Sequence, residues 1–151
     1  MSYSALVLVG AVDWAHPDWH SGFYPEGLPD DWALSYYNTQ FQVVYLPATV
    51  WQAASAATWE RWLDDTQEGF CFLLEPTGKD DAKPASERVM LATPEWVGRH
   101  VWWLDECYDL RMLAQRITQQ AETGEPLFVL SRRGDLELLE QVKALRQVMG
   151  Y

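Results

Sequence analysis

Short apolar runs, set between stretches of helical period, are the feature that most limits what this chain can fold into. Ala5 to Val9 is continuously apolar and ends in Gly10, which suits a strand buried on both faces in a parallel sheet. Gln42 to Leu46 is a second such run, closed by Pro47, and Phe70 to Leu74 a third, bounded by Gly69 and Pro76. Three more follow at Val89 to Ala92, Val101 to Leu104 and Leu127 to Leu130. Between the runs the period changes. Pro29-Asp30-Asp31 starts a helix carrying Ala33, Tyr36, Tyr37 and Phe41, and the acidic pair suits its dipole. Thr49 to Leu63 reads as one helix with Trp51, Ala54, Trp59 and Trp62 along a stripe. Leu110, Leu113, Ala114, Ile117 and Ala121 mark another, stopped by Gly124. A closing helix runs from its cap Asp135 to Gly150. Residues 77–87 are polar and turn-rich, a loop. The alternation predicts an α/β fold with a mainly parallel sheet of about six strands and outer helices. The run at Ala5 to Val9 is expected at the centre of that sheet. The 151 residues are expected to form one domain.

Composition narrows the function classes. An apolar fraction of 48% is globular and not disordered. A net charge of -11 repels a phosphate backbone, so nucleic acid is not an expected partner. The first residues lack a basic segment, and no apolar stretch reaches the roughly 18 residues a span needs. A cytoplasmic protein without membrane contact is the expectation. Cys71 and Cys107 are not a Cys-x-x-Cys pair, and both read as reduced, buried thiols. Adjacent Trp102 and Trp103 on one strand must point to opposite faces. One faces the helix layer and the other the inner side of the sheet.

One segment carries a family likeness. Asp13-Trp14, Asp18-Trp19, Phe23-Tyr24-Pro25, Leu28, Tyr36-Tyr37 and Phe41 resemble the entrance segment of the domain-of-unknown-function-72 (YecE-like) family. The likeness is clear from about Gly10 to Pro76 and weaker beyond. It implies a TIM-type (β/α) barrel, here truncated in the middle, between Pro76 and Val89. It also implies polar strand-end residues that this chain lacks. The family's Glu and Asn on the second strand correspond to Tyr45 and Pro47, and its third-strand Lys has no counterpart beside Glu75. Its penultimate-strand Arg and His correspond to Trp103 and Asp105, and its final Asn-Asn to Ser131-Arg132-Arg133. Barrel active sites sit at the C-terminal ends of the strands, which are the positions that differ. The resemblance therefore implies an uncharacterised, degenerate barrel with an interaction or scaffolding role in place of catalysis.

Three constellations define the alternatives. Asp13, His16, Asp18 and His20 supply carboxylate and imidazole ligands in one loop, as a metal-dependent hydrolase would need; the competing reading is a structural loop. Arg132 and Arg133, where a strand meets a helix, suit the phosphate or carboxylate of an anionic small molecule; the competing reading is two solvated or ion-paired cations. A small enzyme built on that site would use Asp105, Glu75 or Glu106 as its acid or base. Acidic pairs recur at Asp30-Asp31, Asp64-Asp65 and Asp80-Asp81, where they read as helix-end or loop residues. No motif requires a cofactor. Exposed edges of an open parallel sheet lead to the expectation of a homodimer.

Overall fold

The computed structural model describes residues 5–78 and 82–151; the Asp80-Asp81 pair lies outside the described residues. In chain order the elements are β1 (Val7–Val12), α1 (Ala33–Gln40), β2 (Val43–Leu46), α2 (Ala48–Trp51), α3 (Ala56–Asp64), β3 (Cys71–Leu74), β4 (Val89–Leu91), α4 (Pro94–His100), β5 (Val101–Trp103), α5 (Leu110–Thr123), β6 (Leu127–Ser131) and α6 (Leu136–Met149). Two 3-10 turns, Pro17–Ser21 and Asp30–Trp32, lie between β1 and α1.

The six strands form one sheet in the order β4-β3-β2-β1-β6-β5. Every pairing in it is parallel. The apolar first strand sits inside the sheet, between β2 and β6, as its double-sided burial requires. It runs on through Gly10 to Val12, beyond the end expected at Val9. The reason lies at Gly10, which is a point of close approach and not a stop: a Cβ there would stand 1.9 Å from the Val43 carbonyl oxygen.

Strand alternation divides the interior into two layers. Val7, Val9, Val44, Leu46, Phe72, Leu74, Leu127 and Val129 face Leu34, Tyr37, Trp59, Leu113, Ile117 and Leu139 of the outer helices. Leu8, Val43, Tyr45, Cys71, Leu73, Phe128 and Leu130 face the other way, where α4 supplies Trp96 and Val97. The sheet is curled. In a flat sheet β2 and β5, three strand spacings apart, would be about 14 Å from each other. Instead the rings of Tyr45 and Trp103 meet at 5.3 Å. The result is a half-barrel with helices around it, an α/β fold consistent with a truncated TIM-type barrel.

The pairing of β6 with β1 is the one that closes a (β/α) barrel. The gap in the order falls between β4 and β5. The β3–β4 connection, between Pro76 and Val89, is short as well, although β4 pairs directly with β3. The described residues between β3 and β4 contain no helix. A groove of about 740 Å³ remains beside α2 and α3, lined by Trp51, Trp59, Leu63 and Pro84 among others.

Two further helix boundaries differ from expectation. The single helix expected over Thr49 to Leu63 is two helices. Ser55 breaks it by accepting a hydrogen bond from the Thr58 amide at the start of α3. The helix α4 has no counterpart among the expected elements. Its signal was present in Thr93-Pro94-Glu95, a capping hydroxyl followed by proline at the first helical position. Arg116 of α5 finishes its other end by donating to the Gly98 and Arg99 carbonyls. No described helix is long and apolar enough to cross a membrane.

Candidate functional site at the strand ends

The site begins with the loop after β1. Asp13 has a positive φ of 63°, which an Asp tolerates when its carboxylate bonds locally. Its Oδ1 accepts from the amides of Trp14 and Ala15. The His16 ring, through Nε2, donates to the Val12 carbonyl at 2.6 Å and stacks on Trp19 at 4.2 Å. Trp19 is 2% exposed. Its indole N–H donates to the Gly134 carbonyl at 2.9 Å, tying this loop to the one before α6. Phe23, Tyr24, Tyr37 and Phe41 complete the aromatic cluster around Trp19. Asp18 and His20 are exposed. Thus Asp13 caps a turn, His16 binds backbone, and Asp18 and His20 lie at the surface. Among the described residues no three His, Cys, Asp or Glu side chains are placed to share a metal ion.

Tyr37 performs a task hidden in the sequence. Its hydroxyl accepts from the Ala11 amide at 2.8 Å and donates to the Val43 carbonyl at 2.7 Å. It thereby satisfies two backbone groups where β1 and β2 begin to pair. Burial pushes its pKa far up against the Ala11 amide, and the neighbouring Tyr24 and Asp13 add to the rise. The hydroxyl therefore keeps its proton.

The carboxylate of Asp105, at the end of β5, accepts the most hydrogen bonds of any carboxylate among the described residues. Oδ1 accepts from the Arg132 amide at 2.5 Å. Oδ2 accepts from the Ser131 hydroxyl at 3.2 Å, and from the amide and Nε of Arg133, each at 3.3 Å. Its side chain is only 11% exposed. Burial acts to raise its pKa, but the bonds from Arg132, Arg133 and Ser131 outweigh it and leave the pKa below the ordinary aspartate value. The Ser131 hydroxyl also accepts from the Asp135 amide, and Asp135 caps α6 through the Leu138 amide. The amides that open the β6–α6 loop therefore already hold an anion, one supplied by the chain itself.

The two arginines of this loop are separated by function. Arg133 is ion-paired with Asp105. Arg132 lies over the ring of Trp103, its Cζ 3.7 Å from the ring centroid, a favourable cation–π geometry. Trp103 in turn meets Tyr45 edge-on, at 75°. Trp102 points to the helix layer and donates to the Cys107 carbonyl, so the adjacent tryptophans do face opposite sides. Glu75, at the end of β3, accepts from the Ala48 amide at 3.0 Å. Burial raises the pKa of Tyr45 first, and Glu75 adds to the rise while Arg132 opposes it. Tyr45, Glu75, Arg132 and Trp103 thus gather at one end of the concave face. Asp105 belongs to the adjoining loop, and Glu106 is exposed.

Comparison with known proteins agrees with this architecture over the first three strands. No curated protein and no solved structure gives a match to the chain. A family model described as "Protein of unknown function DUF72" matches residues 8–77, the segment holding β1, the aromatic loop, α1 to α3, β2 and β3. Through that segment, with its aromatic cluster closed on the β6–α6 loop, the chain is similar to the DUF72 family.

Proposed function

We propose that this protein is a non-catalytic half-barrel with an interaction role. The observation that carries the reading is the saturation of Asp105. A general base needs a free lone pair aimed at the reacting atom and a pKa near the working pH. Asp105 has both oxygens engaged and a depressed pKa. Glu75 accepts from the Ala48 amide at the start of α2. The strand ends on the concave face instead present the half-buried Trp103, backed by the buried Tyr45, with one cation over its ring. That is the composition of a binding surface, where aromatic and arginine side chains are enriched. A cytoplasmic location belongs to the same reading, supported by the two free thiols Cys71 and Cys107. So does a homodimer, suggested by the open edges of the sheet at β4 and β5; sedimentation in solution tests it. The catalytic question is settled by a turnover screen on sugar phosphates and other anionic metabolites. The expected result is no turnover above background. A turnover that Asp105→Asn abolishes, while the variant stays folded, overturns the proposal.

A further inference from the structure

The arginines of this chain differ in what they do with their donors. Arg88 donates to Thr66 and to the Leu63 and Gln67 carbonyls. Arg116 donates to Gln120 and to the end of α4. Arg146 donates to the Val7 carbonyl and to Gln42. Arg61 and Arg133 hold carboxylates. Arg132, itself exposed, has its amide held by Asp105 and its guanidinium over Trp103. Yet among the described residues its guanidinium donates to no carbonyl and pairs with no carboxylate. Arg99 and Arg111 are also unpaired there, but they lie exposed on helices with no aromatic ring beneath them. A guanidinium laid flat on an indole has one face covered and its rim of N–H donors directed outward, the geometry that receives a carboxylate through two parallel bonds.

We propose that Arg132, stacked on Trp103 and flanked by Tyr45, recognises the carboxylate of a small molecule at the C-terminal end of the concave face. Tyr45 contributes a second donor. Its hydroxyl hydrogen-bonds to no described residue, and it stays protonated at neutral pH because burial and Glu75 both favour the neutral form. Trp103, half-buried and edge-on to the buried Tyr45 at 5.3 Å, leaves its open edge beside the cation for the body of the ligand. Glu75 sets the charge class: its carboxylate repels a second negative charge, so a monoanionic carboxylate is preferred over a phosphate dianion. Arg133 has no part in this, because Asp105 already holds it.

This inference rests on the strand ends being a binding surface, and its test is independent of catalysis. Benzoate is the probe, with inorganic phosphate as the comparison arm. Thermal shift and the indole N–H resonance of Trp103 are the two readouts, the resonance assigned with Trp103→Phe. Benzoate is expected to raise the melting temperature of the wild-type chain in a saturable way and to shift the Trp103 resonance. Phosphate should bind more weakly. Arg132→Ala should abolish both responses. Arg132→Lys should weaken them about tenfold, since it keeps the charge and loses the paired bond. Tyr45→Phe should weaken them several-fold while Arg133→Ala leaves them in place. Absence of any saturable response in the wild type overturns the inference, as does a response that survives Arg132→Ala or a preference for phosphate. A failure of this kind leaves the non-catalytic reading intact, and a turnover found in the screen leaves this one intact.

Discussion

A single hydroxyl and a single carboxylate hold two places where side chains stand in for plain strand pairing. Tyr37 bridges Ala11 and Val43 at full burial. Tyr37→Phe keeps the ring and removes both bonds, leaving a buried amide and a buried carbonyl unpaired. It is expected to cost about 1–3 kcal/mol, read as a lower urea midpoint with an unchanged slope. Asp105 is the second place. Its pKa is depressed in the folded state, so its stabilisation is full above its unfolded pKa and is lost as pH falls through the folded value. Asp105→Asn is expected to lower stability at neutral pH, and to flatten the part of the acid unfolding curve that lies below the ordinary aspartate range. An acid titration of both proteins followed by circular dichroism checks this. Asp105 could be picked out from sequence as a strand-end acid, but not its partners, because they are backbone amides of a loop 27 and 28 residues away.

At the scale of elements, the aromatic loop after β1 and the helix α4 close the two sides of the sheet. Trp19 joins the loop to α1 and to the β6–α6 turn through ring contacts and its bond to Gly134. Trp19→Ala removes a ring that is 2% exposed and is expected to cost about 3–5 kcal/mol. An unchanged melting temperature would refute the structural role of this loop. The helix α4 covers the concave layer with Trp96, whose ring lies 5.3 Å from that of Phe128. Trp96 is half-buried, so Trp96→Ala is expected to cost less, about 2 kcal/mol. The same denaturation series ranks the two substitutions. The loop was legible in sequence because its aromatics come in a dense, recognisable pattern. The helix was not: seven residues show less than two turns of period, and its apolar face, Trp96 and Val97, is too narrow to stand out.

On the scale of the whole molecule, the half-barrel has one layer of outer helices and a concave face filled by large side chains. Cys71 reports on its integrity. The thiol lies in the concave layer, and burial pushes its pKa up to about 11, partly offset by Arg88. It is therefore both shielded and protonated at neutral pH. Native protein is expected to react with a thiol reagent at Cys107 alone, which is only partly covered. Cys71 should react at the rate of global opening, and in full only in denaturant. Two equal fast phases in native protein would show that the concave layer is open.

The sequence by itself determined the class of fold, the central place of β1 and the opposite facing of the Trp102-Trp103 pair. Those features follow from local pattern: apolar runs of strand length, helical spacing between them, and the two-residue period of a strand. It also determined the family likeness of residues 8–77, through the spacing of aromatics that the fold packs around Trp19. Tertiary structure alone decided where the barrel is interrupted, since that depends on which strand pairs with which. It decided that α4 covers the concave layer, that Asp105 fills the β6–α6 loop, and that Arg132 and Arg133 part company, one onto an indole and one onto a carboxylate. These contacts join residues far apart in the chain. Their geometry is set by strand order and by the curl of the sheet, which no local pattern of residues encodes.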